Sequence, residues 1–358
     1  MKKTPSGKNV NAAHGSPEPC ALRGLWYFAC PGYSIARGQM IHKTMLSEPV
    51  LLGRTSDNSI FALRDTCPHR GTLLSRGSFS GDEIECPYHG WRFGVDGQCK
   101  AIPSQLADQR PQPDDISTTV FPVKEIQGNI WIYFGNTKEK LPEIPSVSAV
   151  GEKYRLHLSM IFNCGIDLAV TGLMDPAHGA FVHSSMIWRS RKDLREKKKI
   201  FSPLPMGWRM DRHTVSSNSR AYRIFLGGKP ETEISYILPS VRIEHTRTDR
   251  FNYAGLTACT PVDDHHTEVH HVMYWDLPGT TILRPMLRRI AKRFLDQDRR
   301  AILDMEAGRR FNPTTMLIKD ADTQIRWYYL LKKEFVAAQR EQRAFRNPIQ
   351  PMSLRWRS

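Results

Sequence analysis

The stretch CPHRGTLLSRGSFSGDEIECPYHGW (Cys67–Trp91) decides how the N-terminal part of this chain is read. It carries two ligand pairs, Cys67 with His69 and Cys86 with His89, and sixteen residues separate His69 from Cys86. Pro68 and Pro87 follow the cysteines directly, while Gly71 and Gly90 close the two short segments, so each pair sits in a tight loop. Two thiolates can hold one iron of a [2Fe–2S] cluster while two imidazoles hold the other, and the neutral imidazoles raise the cluster's potential. A zinc site built from two cysteines and two histidines uses the same residue types. The pairing of CPH with CPYHGW is unlike the usual zinc hairpin.

Around this stretch the chain reads as short strands. The runs PVLLGRT, SIFALRD, EIECPY and GNIWIYFG are each bounded by Gly, Asp or Pro, which predicts a small antiparallel all-β domain over residues 22–137. The start, MKKTPSGKNVNAAHGSPEP, has two lysines but no apolar segment behind them, so it reads as a disordered lead-in (residues 1–21) and not as a secretory signal. The Pro- and charge-rich stretch over residues 138–155 reads as a linker.

A second domain is expected over residues 156–358. It opens with a strand-like segment, YRLHLSMIFNCG, and passes into IDLAVTGLMDPAHGAFVH, a helix interrupted at or before Pro176. Six strand-like runs follow from Trp208 to Asp276: GWRMDRHTV, AYRIFLGG, TEISYILPS, VRIEHTRT, YAGLTACTPV and TEVHHVMYWDL. They predict one large antiparallel sheet. Two helices close the chain. The first has Pro285 near its start, where proline is tolerated; the second has Asp320 or Asp322 at its N-cap and ends before Pro348.

Within DPAHGAFVH, Asp175, His178 and His183 form D-x-x-H-x4-H. Histidines five apart do not share a regular helical face, but a loosened helix, which Gly179 permits, lets them converge. Two imidazoles and one carboxylate make the facial triad of non-haem Fe(II) oxygenases, with positions left open for O2. The pairs His265/His266 and His270/His271 show how readily histidines cluster in this chain. They sit in strand-like sequence, where neighbours point to opposite faces, and read as structural.

Composition bounds the rest. The chain has 358 residues, a formal charge of +15, and ordinary hydrophobic (40%) and charged (24%) content. No apolar run is long enough to predict a transmembrane helix. Of seven cysteines, the five outside the two loops (Cys20, Cys30, Cys99, Cys164 and Cys259) show no paired spacing, which favours reduced thiols and a cytoplasmic setting. Basic residues concentrate in Arg189–Lys199 and Arg284–Arg293. They read as a solvated surface or as a dock for an acidic electron-transfer partner such as a ferredoxin. Nucleic acid is disfavoured, because no recognition element accompanies the charge.

The spacing C-x-H-x16-C-x2-H closely resembles the Rieske motif, and D-x-x-H-x4-H about ninety residues later resembles the catalytic (alpha) subunit of Rieske non-haem iron oxygenases. The likeness runs from about Trp26 to the last helix. It implies an α+β chain: an N-terminal all-β Rieske [2Fe–2S] domain, and a helix-grip catalytic domain in which an antiparallel sheet is gripped by a long C-terminal helix. It implies that Cys67, His69, Cys86 and His89 hold the cluster and that His178 and His183 hold a mononuclear Fe(II). Asp175 would link a neighbouring subunit's cluster histidine to His178. The third iron ligand is a carboxylate on a late helix, often after Glu or Gln, and Asp298 in QDRR is the best match, with Asp296 and Asp304 as fallbacks.

Electrons would come from NADH or NADPH through a separate reductase, with or without a ferredoxin, since the chain has no nicotinamide fingerprint. The resemblance also implies a head-to-tail homotrimer of the ring-hydroxylating or demethylating type, as used in aromatic compound catabolism. One departure stands out: Thr171-Gly172 occupies the place where many members carry Glu-Asn. The expected activity is hydroxylation or oxidative demethylation of a largely apolar cyclic substrate. A cis-dihydroxylating ring dioxygenase is the alternative within enzymes, and a Rieske electron carrier without oxygenase activity is the alternative outside them.

Overall fold

Apolar runs punctuated by Gly, Asp and Pro form short antiparallel strands in both halves of the chain, as alternation of buried and exposed side chains requires. The structure is a computed structural model that describes residues 21–137, 140–147, 150, 155–183, 194–215, 226–280 and 282–358. The expected lead-in, apart from its last residue, lies outside the described residues, as do parts of the expected linker. The chain divides into two compact units, one of Arg23–Ser146 with Thr260–Asp263, the other of Val147–Cys259 and Asp264–Ser358 with the segment ending at Leu22.

The first unit is all β apart from single 3-10 turns. Strands β1 (Leu25–Pro31), β2 (Gln39–Met45), β3 (Glu48–Arg54), β4 (Ile60–Arg64), β5 (Ser78–Phe79), β6 (Glu83–Glu85), β7 (Arg92–Gly94), β8 (Cys99–Ala101), β9 (Val123–Ile126) and β10 (Asn129–Phe134) form three sheets. Their orders are β1-β10-β9, β2-β3-β4 and β5-β6-β7-β8. Every residue of β1 and β10 is buried, so these strands read as continuous apolar runs without alternation. Leu51, Phe61, Leu63, Leu74, Ile84 and Phe93 make a core that also encloses Cys67 and Cys86.

The second unit is built on an eight-stranded sheet. Its strands are β11 (Leu156–Phe162), β12 (Glu196–Leu204), β13 (Gly207–Thr214), β14 (Glu231–Ile237), β15 (Val241–Arg247), β16 (Asn252–Pro261), β17 (Thr267–Trp275) and β18 (Met352–Arg357). The order is β11-β17-β16-β15-β14-β13-β12-β18. Helices α1 (Ile166–Met174), α2 (Gly179–Val182), α3 (Arg284–Arg309) and α4 (Thr323–Arg340) complete it. The break between α1 and α2 falls at Asp175–His178, as Pro176 dictates. The architecture is α+β.

Aromatic contacts seat α4 on the sheet. Phe201 meets Trp327 at 5.4 Å between ring centroids, and Tyr236 meets Tyr328 at 6.0 Å. Asp167 of α1 ties the helices together: it accepts from Tyr328 Oη at 2.6 Å and from Lys332 Nζ at 2.7 and 2.8 Å. The Lys332 side chain is only 3% exposed, so this ion pair replaces its lost hydration.

The sequence reading and the structure differ in places. Strand β18 was not anticipated, although MSLRWR buries Leu354 and Trp356 alternately and pairs along β12. His265 and His266 lie in the turn before β17 and not in a strand, because the hairpin needs those residues to reverse. Of AYRIFLGG, residues 221–225 lie outside the described residues. The basic stretch Arg284–Arg293 begins α3, and its cationic side chains are exposed. Of the stretch Arg189–Lys199, residues 189–193 lie outside the described residues.

Candidate metal centres

In the first unit, the two ligand loops are closed in the same way. Cys67 N–H donates to Thr72 O at 2.8 Å and Gly71 N–H returns to Cys67 O at 2.8 Å. Cys86 N–H donates to Trp91 O at 2.8 Å and Gly90 N–H returns to Cys86 O at 3.1 Å. Both glycines adopt positive φ, +77° and +68°, which a side chain would disfavour. The repeated Cys-Pro start and Gly end thus specify the same six-residue turn twice.

The turns point the cysteines inward and the histidines outward. Cys67 and Cys86 are each 2% exposed and belong to the apolar core. His69 and His89 are half-buried, with ring centroids 4.6 Å apart, and Trp91 stacks on His69 at 4.6 Å and 3°. Burial, aided by Cys86, pushes the Cys67 thiol up to about 11. A buried thiol pair of this kind ionises only beside a cation, which iron supplies. Partial burial, then His89 and Arg70, hold His69 below its ordinary value, so it stays a neutral ligand.

These donors fit a two-iron cluster better than zinc. Four ligands of one tetrahedral zinc all stand within about 4 Å of one another, given bonds of roughly 2.0–2.3 Å. Among the described residues, the group of three or more donors lying within 4.8 Å of one another is a different one. The four residues instead divide into a thiol pair and an imidazole pair. His89 Nδ1 is buried without a hydrogen-bond partner, as expected for a nitrogen that faces a metal.

That other group is His178, His183 and Asp298, in the second unit. His178 stands at the start of α2 and His183 at its end, while Asp298 comes from the middle of α3. Asp298 Oδ1 lies 3.3 Å from His178 Nε2 and 2.9 Å from His183 Nε2. Ligand atoms at right angles around one metal, each about 2.1 Å from it, stand about 3 Å apart. His183 Nε2 is buried and not aligned for a hydrogen bond despite its short separation from Asp298. That is the geometry of donors aimed at a common point.

Each histidine is fixed through its other nitrogen. His178 Nδ1–H donates to the backbone carbonyl of Asp175 at 2.7 Å. His183 Nδ1–H donates to Gln297 Oε1 at 3.1 Å, and Phe294 stacks on the His183 ring at 3.6 Å and 13°. Both Nε2 atoms are thereby left as lone-pair donors. Burial alone would push His178 down, but Asp298 and Asp175 outweigh it and hold the imidazole above its ordinary value. Burial would likewise push Asp298 up, yet the two imidazoles beside it, His178 and His183, hold it below the usual carboxylate range.

The fallback carboxylates stand elsewhere. Asp296 pairs with Arg299 at 2.6 Å and Arg300 at 2.7 Å on the solvent side of α3, and Asp304 is exposed. Asp175 uses Oδ1 to accept from Ala177 N–H at 2.7 Å, while Oδ2 stands 3.9 Å from His178 Nδ1. Burial pushes its carboxyl up, against the pull of His178. Gln297 and Phe294 went unread in the sequence as supporting residues. Phe294 carried a signal, four positions before Asp298 on a helix, where i and i+4 share a face; the signal for Gln297 was only its place in QDRR.

Thr171-Gly172 also has a physical role. A Cβ at Gly172 would stand 2.7 Å from Ile302 Cγ1, so the missing side chain lets α1 lie against α3. Thr171 Oγ1 donates back to Asp167 O at 2.7 Å within α1.

Residues 25–121 match the model of the Rieske [2Fe-2S] domain, and residues 162–333 match that of the vanillate O-demethylase oxygenase C-terminal domain. The chain belongs to the Rieske oxygenase family. Among its relatives, the oxygenase component of dicamba O-demethylase from Stenotrophomonas maltophilia is 31% identical over 186 residues, 50% of this chain and 52% of that protein. A cholesterol 7-desaturase of Xenopus laevis is 27% identical over 272 residues, 70% of this chain and 59% of that protein. This Rieske oxygenase spans between 25% and 59% of the length of the curated relatives it matches.

The solved structure of dicamba monooxygenase bound to 3,6-dichlorosalicylic acid superposes with a TM-score of 0.74 at 21% identity, covering 89% of this chain and 98% of that one. At that identity the likeness bears on the fold. A Rieske domain carries a [2Fe–2S] cluster, and oxygenases of this family use a mononuclear iron. Six cysteines among the described residues are buried and form no disulfide. No helix among the described residues is long and apolar enough to cross a membrane.

Proposed function

We propose that this chain is a terminal oxygenase that hydroxylates or oxidatively demethylates a largely apolar cyclic substrate. The convergence of His178, His183 and Asp298, in a chain that also carries a Rieske domain, supports this reading most strongly. In it, Cys67, His69, Cys86 and His89 hold the cluster, and His178, His183 and Asp298 hold the iron. When bound, the cluster supplies single electrons and the mononuclear iron supplies activation of O2 beside the substrate.

The chain's own residues do the positioning. Cys67 and Cys86 anchor the cluster in the core of the first unit, and the outward face formed by His69 and His89 is where electrons leave. Asp175 keeps the Nδ1 proton of His178 on its backbone carbonyl, so Nε2 stays a ligand. Phe294 covers the His183 ring and keeps water from it. In a head-to-tail homotrimer, the Asp175 carboxylate links the cluster histidine of a neighbouring protomer to His178. Electrons reach the cluster from an NAD(P)H-dependent reductase, directly or through a ferredoxin, and the exposed cations of α3 offer an acidic carrier a complementary surface. Buried cysteines that form no disulfide support a reducing, cytoplasmic setting.

The test combines metal analysis with one substitution. Native protein should hold three irons per chain. Asp298→Ala should keep the cluster's visible absorption, lose the third iron, and give no product in NADH-coupled turnover of O- and N-methylated ring compounds. Native protein with two irons and no third, or product formation by Asp298→Ala, overturns the assignment.

A further inference from the structure

The inner wall of the catalytic sheet carries polar groups that the iron site does not use. Arg242 stands opposite Thr257, Glu244 opposite Gly255, and His271 opposite Leu158 in the strand registers. These positions face the helices. Tyr236, the partner of Arg242 on its other side, meets Tyr328 of α4, and Leu158 packs in one cluster with Leu287 and Ala291 of α3. The side chains are half-buried and keep accessible surface, 25% for Arg242 and 16% for Glu244. Surface kept on a face turned toward the helices is what a recess between sheet and helices would leave.

Gly255 lets two rings close in on this wall. A Cβ there would stand 3.0 Å from Tyr253 Oη and 3.3 Å from His271 Cε1, so the glycine makes room for both rings. His271 Nδ1 and Thr257 Oγ1 are 2.8 Å apart. Among the described contacts only Nδ1 of that ring is engaged, which leaves Nε2 for something else. Arg242 Nη2 and Glu244 Oε2 are 2.8 Å apart, so this cation of the wall is matched by an anion on the same strand face.

We infer that this recess selects an uncharged ring compound bearing a hydrogen-bonding oxygen or nitrogen, which His271 and Thr257 hold above the self-neutralised Arg242–Glu244 pair. The inference rests on the oxygenase reading and narrows its substrate class. Two further facts agree with it. Burial, then Arg242, push His271 down to about 4, so it is a neutral hydrogen-bonding group at pH 7, and burial keeps the Tyr253 phenol protonated. The negative charge of Asp298 is also felt at His271. A carboxylate entering beside the pair would give up its hydration while Arg242 stays matched by Glu244, a large cost. A neutral amide or phenol gives up less and finds matched partners, and matched buried partners are what polar pockets use to discriminate.

The test is calorimetric binding to the full-length protein with both metals in place, using 4-methoxybenzamide and 4-methoxybenzoate as matched probes. The native protein should bind the amide at least about tenfold more tightly than the carboxylate. Glu244→Gln frees Arg242 and should move the preference about tenfold or more toward the carboxylate, and Arg242→Gln added to it should restore the preference for the amide. The double variant also shows whether the wall tolerates substitution. A native preference for the carboxylate, no binding of either probe, or an unchanged ratio in Glu244→Gln overturns the inference. Iron content separates the two readings: a protein without mononuclear iron refutes the oxygenase, while an iron-loaded protein with the wrong ratio refutes only the neutral recess.

Discussion

Gln297 offers a test of how the iron site is held, because it touches a ligand without being one. Its Oε1 accepts the Nδ1 proton of His183 at 3.1 Å. The His183 side chain is 3% exposed, so water does not replace a lost acceptor. Gln297→Leu leaves that N–H buried and unpaired, which costs about 1–3 kcal/mol. If the cost falls on the metal-binding form, affinity drops by about 5- to 140-fold, at 1.4 kcal/mol per factor of ten. Loss of a hydrogen bond behind a metal-bound histidine costs about 10- to 100-fold in affinity, the same range.

Phe294 still stacks on the ring and limits its rotation, but it does nothing to fix which nitrogen carries the proton. An expectation near the middle of the range follows, about 30-fold. The assay is anaerobic Fe(II) titration against a competing chelator, after removal of the mononuclear iron, with the Rieske absorption followed as a control. Gln297→Glu keeps an acceptor at the same place and should stay within a few-fold of native affinity. An affinity for Gln297→Leu within twofold of native would refute the claim that this bond orients the ligand.

Three further predictions follow from the same geometry. Asp175→Asn keeps an acceptor for Ala177 N–H, so both metals should remain, but a reduced cluster should reoxidise slowly with substrate and O2; native single-turnover rates would rule out a bridging role for the carboxylate. Asp167→Asn strips Lys332 of its counter-ion in a buried setting and should cost the catalytic unit about 3 kcal/mol, or a melting temperature lower by about 6–12 °C. Adding Lys332→Met should recover most of that loss, and a double variant no better than the single would show that the pair is not the cause. His271 is pushed down to about 4, so the unfolded chain takes up its proton first as pH falls. Stability should therefore decline from pH 6.5 to 4, by up to about 3 kcal/mol from this group, and His271→Gln should flatten that acid limb; equal slopes in both proteins would exclude His271 as its source.

Local chemistry was the part of this molecule most open to reading from sequence. The two Cys-Pro loops with their terminal glycines specify their own turns, and D-x-x-H-x4-H on either side of a proline break needs only one loosened helix to bring two imidazoles together. The break between α1 and α2 was equally plain, since Pro176 removes a helical donor. Asp298 was preferred over Asp296 and Asp304 through the resemblance alone, by its place in QDRR; the physical reason is which face of α3 turns inward, and that depends on packing. Long-range partners were harder still. Strand β18 pairs with β12 across about 150 residues of sequence, and no local signal names a partner at that range. His271 was read as structural along with its neighbour, because alternation says that His270 and His271 face opposite ways but not which way is inward.

The two histidines are held by connections of very different range, and this identifies the element on which the site depends. His178 is oriented by the carbonyl of Asp175, three residues earlier, and would keep that orientation wherever α2 went. His183 is oriented by Gln297, covered by Phe294 and faced by Asp298, all from one stretch of α3. One turn further along α3, Ile302 lies against Gly172 of α1, the helix that leads into Asp175. A single helix face, from Phe294 through Asp298 to Ile302, therefore supplies the third donor, the support for the second, and the surface against which the helix before the first is packed. A side chain at Gly172 would meet Ile302, so either that side chain or the helix carrying it must shift. In the proposed iron site, the close approach of α1 to α3 that Gly172 allows would help hold the three donors together.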